Sequence, residues 1–349
     1  MKRLTAVSVA LSCACSLGLL ACGSAGAHAG GAPAPSPHDG DPSPPPVVLE
    51  EGVNFQVFRP DGTPATLDEV VAEARGVEAV LFGEEHTDRI THGLQEEFLR
   101  RAFVAYGRAS ARPAGEAPPG HPRSGTDREA RRPIVLSLEM VERDVQYVLD
   151  EYLADLITED HFLKSVRPWP RYETDYRPIV EFSKAHGIPV VAANAPRRYV
   201  ERAGRLGRDS LDGLPETALA FLPPLPYPEP SPAYRAEWDE LMGDAGDHLP
   251  GSPLDAQTLW DAAMGHSVAT TIDAREGALV VHLAGGFHVE NGTGIPEALE
   301  HYRPGTTALL IAARPSVDPS VLDDEFVGLG DFVILTQAPP EDESGGDRP

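Results

Sequence analysis

The chain has 349 residues, of which 41% are hydrophobic, and a formal charge of −25 from 54 acidic and 29 basic residues. That length and apolar content support a real core, in one large α/β domain or two small ones. So negative a field argues against nucleic acid as a partner and against electrostatic docking on anionic lipid.

Met1-Lys2-Arg3, an apolar run over residues 4–17 and Leu19-Leu20-Ala21-Cys22 read as a secretion leader. The run is short for a membrane span. Leu-Leu-Ala-Cys matches the bacterial lipobox, which makes residues 1–21 a lipoprotein signal peptide and Cys22 the lipidated first residue of the mature chain. Cys13 and Cys15 lie inside the leader, so the mature chain has no disulfide and no thiolate metal ligand. Residues 22–46 are rich in Gly, Ala, Ser and Pro and read as a flexible tether. The folded domain is expected over residues 47–337, followed by an acidic tail at 338–349. The expected location is the bacterial cell envelope, lipid-anchored to the outer membrane.

Within the domain, residues 54–58 read as a short strand and Pro60-Asp61-Gly62 as a turn. Thr66-Leu67-Asp68-Glu69 is a capping box that opens a helix to residue 75. Four apolar runs follow, at residues 77–82, 133–138, 188–193 and 279–284, each about six residues of mostly Val, Ile, Leu and Ala and each leading into a helical pattern. That is how buried parallel strands read, and it predicts an α/β fold with a mostly parallel sheet flanked by helices. Further helices are expected at 90–106, 144–153, Glu159–Val166, Arg177–His186, 197–206, 234–242 and 257–274, with final strands at 307–312 and 332–336. Residues 107–132 carry six arginines against three carboxylates and read as a disordered surface insertion. Residues 209–253 carry no parallel-strand signature and read as a small inserted lid subdomain.

Ligands of such sheets sit outside the carboxyl ends of the strands. Here those ends carry Gly83-Glu84-Glu85-His86, Glu139, Asn194-Ala195-Pro196-Arg197 and Gly285-Gly286-Phe287-His288. A carboxylate pair and an imidazole on a strand-to-helix turn suit a divalent metal or acid–base chemistry, or simply cap the helix. Glu139 ends an apolar strand and must be paired, liganded or at the sheet mouth, with Arg143 available for a buried ion pair. His92, six residues past His86, is off the face that a shared metal would need and belongs behind the site or on the surface. Glu84, His86, Glu139 and His288 are therefore the expected catalytic or metal-binding set, with Arg143, Asn194 and Arg197 as substrate-binding residues. The expected geometry puts Glu84 or Glu85 with His86, Glu139 and His288 in one pocket, and residues 209–253 over its mouth. Phosphate-loop, dinucleotide, HExxH and serine-elbow motifs are absent.

Taken together, Gly83-Glu84-Glu85-His86 with His92 and Gln95, Leu138-Glu139-Met140, Glu142-Arg143-Asp144, Trp169-Pro170, Asp175-Tyr176-Arg177-Pro178, Asn194-Ala195-Pro196-Arg197-Arg198, Leu259-Trp260-Asp261-Ala262-Ala263-Met264 and Gly286-Phe287-His288 resemble the ChaN-like family. That family belongs to the haem-binding uptake group related to the Tiki and erythromycin-esterase proteins. The resemblance implies a haem-binding lipoprotein in iron acquisition, with haem as cofactor and a lid tyrosine as iron ligand. Tyr227, Tyr234 and His248 are the candidates for that cofactor contact. Residues 243–257 depart from the aromatic-containing lid helix that the family leads one to expect. Superfamily relatives imply a rival reading, a metal-dependent hydrolase on Glu84, His86, Glu139 and His288 with metal-bound water as nucleophile. A third is a cell-envelope interaction module. Haem or another small ligand and the membrane are the expected partners, nucleic acid is not, and a homodimer is left open.

Overall fold

A computed structural model describes residues 47–108, 131–243 and 250–339. The leader, Cys22, the tether, His248, most of the insertion and nearly all of the tail lie outside the described residues.

The domain opens with β1 (Phe55–Phe58) and β2 (Pro64–Ala65). α1 (Leu67–Ala74) starts from the expected capping box: Thr66 accepts from the Glu69 amide, and the Glu69 carboxylate accepts from the Thr66 amide at 2.8 Å. β3 (Ala79–Glu84) leads into α2 (Arg89–Tyr106), capped by Asp88 through the Ile90 amide. Next come β4 (Gly107–Arg108), β5 (Arg132–Glu142), α3 (Gln146–Leu153), α4 (Glu159–Val166), α5 (Tyr172–Asp175), α6 (Arg177–His186) and β6 (Val190–Asn194). α7 (Arg197–Leu206), α8 (Glu216–Leu219), α9 (Pro232–Met242), α10 (Pro253–Ala274), β7 (Leu279–Gly285), α11 (Ile295–Tyr302), β8 (Ala308–Ser316) and β9 (Phe332–Gln337) complete the domain.

The described strands form one sheet in the order β2-β1-β9-β8-β3-β7-β5-β4, with β6 also on β5. Every pairing is parallel except those of β1 with β2 and β9. The α/β architecture read from the sequence is therefore the one the chain adopts. The expected insertion is narrower at its ends, because Gly107–Arg108 pairs with the start of β5.

Side chains alternate along the central strands between two cores. Val80 and Phe82 of β3, Leu279, Val281 and Leu283 of β7, and Leu136 and Leu138 of β5 face α1, α2 and α6. Ala79, Leu81, Val135 and Val280 face α10 and α11. Each fully buried Leu or Phe contributes about 2 kcal/mol relative to exposure. The same period of two decides where the polar strand ends point. Glu84 continues the Val80-Phe82 face and lies under α2, whereas Glu139 lies on the opposite face from Leu138 and Met140, on the α10 side.

Candidate active site at the strand ends

Glu84 is buried and is the hub of the first half of the site. Its Oε1 accepts from Tyr176 Oη at 2.6 Å and sits 2.9 Å from His86 Nδ1 and 3.4 Å from His92 Nε2. Its Oε2 accepts from Gln95 Nε2 at 2.7 Å. Burial alone would raise the carboxyl pKa, but the hydrogen bonds and charges of His86 and His92 hold it well below the ordinary range. His92 Nδ1 lies 3.6 Å from Asp175 Oδ2, a charge contact beyond hydrogen-bond length. Burial opposes protonation of His92, yet Asp175 and Glu84 push it up to about 9. His86 is the accessible member, with 36% of its side chain exposed and its ring edge-on to Trp169 at 4.8 Å. Its pKa is raised: the Glu84 hydrogen bond and the Glu139 charge outweigh desolvation.

The second half is built on α10 and β7. His288 is buried, with Nδ1 2.6 Å from Asp261 Oδ1 and Nε2 3.7 Å from Glu139 Oε1. Desolvation works against its charge, but Asp261 and Glu139 push it up to about 9. Asp261 also accepts from the Tyr234 hydroxyl of α9. Glu139 Oε2 accepts from the Gly285 amide at 2.7 Å. A row of contacts thus runs from Tyr234 through Asp261 and His288 to Glu139.

The halves meet over Gly285. In the parallel register Gly285 lies beside Glu84. A Cβ there would stand 2.9 Å from His86 Nε2 and 3.6 Å from His288 Cδ2. The first contact is too close for a side chain and the second is ordinary, so it is the approach of His86 that calls for glycine here. The structure therefore brings Glu84, His86, Glu139 and His288 together. Helix α9 packs on the intervening turn, with Tyr234 and Trp238 at 5.4 and 6.1 Å from the Phe287 ring. Beside it a cavity of about 500 Å³ has Tyr234 and Asp261 in its wall.

The expected roles of other residues need correction. As placed, the four side chains leave no open set of ion donors: among the described residues no group of three or more His, Cys, Asp or Glu is arranged to hold an ion. The physical reason is that these donors are already engaged with one another and with Gln95, Tyr176, Asp261 and the Gly285 amide. Arg143 does not pair with Glu139. Its guanidinium donates to the carbonyls of Ala193 and Ala263 at 3.3 and 2.6 Å and to Ser267 Oγ at 2.9 Å, tying β6 to α10. Burial brings it down to about 10. Tyr227 is buried and donates to the Asp255 carbonyl at 2.8 Å, and Tyr234 is buried on Asp261, so neither hydroxyl is open to a cofactor. Asn194 is buried at the end of β6 with Oδ1 unpartnered, and Arg197 is exposed at the start of α7.

Sequence reasoning assigns no role to Asp261, Tyr176 or Gln257, whose Nε2 is 3.4 Å from His288 Nε2. A carboxylate set among apolar neighbours in Leu259-Trp260-Asp261-Ala262-Ala263-Met264 is the signal that could have found the first of them. His282, fully buried within β7, carries no strand-end signal: it contacts Ser137 Oγ at 2.9 Å, and burial keeps it neutral, with its pKa at about 3.

The profile of the family described as haem-binding uptake, Tiki superfamily, ChaN matches residues 70–299. No curated protein sequence gives a significant match. Among solved structures, ChaN of Campylobacter jejuni, described as binding haem cofacially, superposes with a TM-score of 0.59 at 13% identity, covering 83% of this chain and 100% of that one. The type III effector HopBA1 gives 0.41 at 14% identity, covering 78% of this chain and 94% of that one. A MARTX toxin effector domain from Vibrio vulnificus gives 0.36 at 15% identity, covering 74% of this chain and 40% of that one. The profile match spans most of the folded domain, and the chain belongs to the haem-binding uptake family of ChaN proteins in the Tiki superfamily.

Proposed function

We propose that this protein binds haem and serves iron acquisition as a lipoprotein anchored through Cys22 to the bacterial outer membrane. The observation that carries the reading is the family match over residues 70–299. Haem needs an accessible axial donor, room for a planar apolar ring and cations for its propionates. Of the nine tyrosines, Tyr147 alone is exposed, at 65%, on the first turn of α3. His86 is the open imidazole of the strand-end cluster, and its Nδ1 contact with Glu84 is the partner that iron-binding histidines commonly have. Arg171, which donates to the His86 carbonyl at 3.0 Å, and Arg167 and Arg198, which share Asp144, are half-exposed cations that suit propionates. These residues offer the donor and cations that haem calls for, whereas the hydroxyls of Tyr227 and Tyr234 are engaged elsewhere. Bound haem would supply a redox-active iron or a cargo for transfer.

The test has two arms. Haemin added to the purified protein is expected to give a saturable shift of the Soret band, and Cys22→Ala is expected to move the protein out of the membrane fraction. An unshifted spectrum contradicts the first claim and unchanged membrane retention the second.

A second reading draws on the Asp261–His288–Glu139 row, a buried acid–base pair suited to hydrolysis without a metal. Ester or amide hydrolysis that persists in chelator and is lost in Glu139→Gln supports it. No turnover across such a screen removes it.

A further inference from the structure

A groove of about 610 Å³ lies between α1 and the carboxyl-terminal half of α2. It sits at the amino edge of the sheet, away from His86 and His288. Arg132, at the start of β5, marks this edge by donating to the carbonyls of Arg75, Val77, Gly277 and Ala278. Val71, Ala72 and Val104 give the groove apolar walls, and Val104 is 67% exposed, a large apolar surface for a free helix face.

Its polar groups are unevenly satisfied. Arg101 crosses the rim to Asp68 at 2.9 Å and also holds Glu97 at 2.7 Å. Arg100 pairs with Glu96 at 2.6 Å and lies over the Phe182 ring. Arg75, at the end of α1, makes no ion pair among the described residues. Tyr106 closes the groove, only 2% exposed, and its hydroxyl has no hydrogen-bond partner. A buried unpaired hydroxyl is destabilising, so an acceptor that reaches it is favoured. Burial pushes its pKa up to about 12 despite the charges of Arg132 and Arg75, which keeps it a donor at neutral pH.

We propose that this groove binds an amphiphilic carboxylate, with its apolar body on Val71, Ala72 and Val104 and its carboxylate between Arg75 and the Tyr106 hydroxyl. The volume lies in the range of small-molecule sites. The charge is decisive: in a chain of −25 this is a place where an uncommitted cation and an uncommitted donor adjoin an apolar trough. The proposal does not rest on haem binding at the other edge of the sheet.

The test is calorimetric titration of the full chain with laurate, and with dodecyltrimethylammonium and acetate, all below micellar concentration. Laurate is expected to bind saturably at one site, and the cation of equal chain length and the headgroup without a body are not. Arg75→Glu and Tyr106→Phe are each expected to weaken laurate by about tenfold, as expected for one charge-assisted hydrogen bond, with unchanged near-UV circular dichroism. Equal binding of laurate and dodecyltrimethylammonium overturns the proposal. So does laurate affinity unchanged in folded Arg75→Glu, or displacement of laurate by one equivalent of haemin, which would assign the groove to haem.

Discussion

Asp261 Oδ1 lies 2.6 Å from His288 Nδ1, a helix carboxylate and a strand-end imidazolium joined across the buried end of the sheet. Asp261 raises the pKa of His288 together with Glu139, and removing the Asp261 carboxylate tests its share directly. In Asp261→Asn, burial is offset by Glu139 alone, and the His288 pKa is expected to fall well below about 9. Proton NMR titration of the imidazole Cε1–H resonances reads this, and a His288 that still titrates near 9 contradicts it.

Stability should fall on the alkaline side. His92 and His288 both hold their protons to about 9 when folded, against an ordinary value of 6.5. The native state therefore binds more protons than the unfolded chain across that interval, and the stabilisation present below about pH 6.5 is lost as pH rises through 9. Each tenfold change in proton affinity is worth about 1.4 kcal/mol, so the loss amounts to a few kcal/mol. The urea midpoint is expected to be lower at pH 9.5 than at pH 6.5, and that difference should shrink in His92→Gln.

Gly285→Ala should disturb the His86 imidazole. The added methyl would meet His86 Nε2 at 2.9 Å and Cε1 at 3.0 Å, so the ring must swing off Glu84 or the strand must shift. The expected cost is about 1–3 kcal/mol of stability, with the His86 pKa falling as the Glu84 contact is lost. A variant with wild-type melting temperature and an unchanged His86 titration would show that the His86 ring does not need the glycine.

Tyr234→Phe removes one donor to Asp261 and leaves Oδ2 short of a partner. A loss of about 1–3 kcal/mol is expected in thermal denaturation, without loss of haem binding, because the hydroxyl serves α9 docking. Loss of haem binding with unchanged stability would restore Tyr234 as a cofactor ligand.

Much of this fold is legible in the sequence because buried parallel strands are apolar on both faces. Residues 77–82, 133–138, 188–193 and 279–284 fall within or largely overlap β3, β5, β6 and β7. The two-residue strands β2 and β4 and the four-residue helices α5 and α8 carry too little periodicity to be read. The convergence of Glu84, His86, Glu139 and His288 is legible for a topological reason, since strand ends on one edge must adjoin. Their partners are not. Asp261 reaches His288 from a helix buried on nearly every side, so no amphipathic pattern marks its face. Closeness in sequence matches Glu139 to Arg143, but strand alternation points the carboxylate at Gly285, while the arginine turns to Ala193 and Ala263. Membership of the lid suggests Tyr227 and Tyr234 for the cofactor site, and only tertiary packing shows their hydroxyls engaged.

The measurement that bears most directly on haem binding is a haemin titration of the wild-type protein beside Tyr147→Phe, His86→Gln and Tyr234→Phe, followed through the Soret band. The account predicts a saturable wild-type shift, retained in Tyr234→Phe and altered in band position or affinity in Tyr147→Phe or His86→Gln. A wild-type titration indistinguishable from free haemin would contradict it.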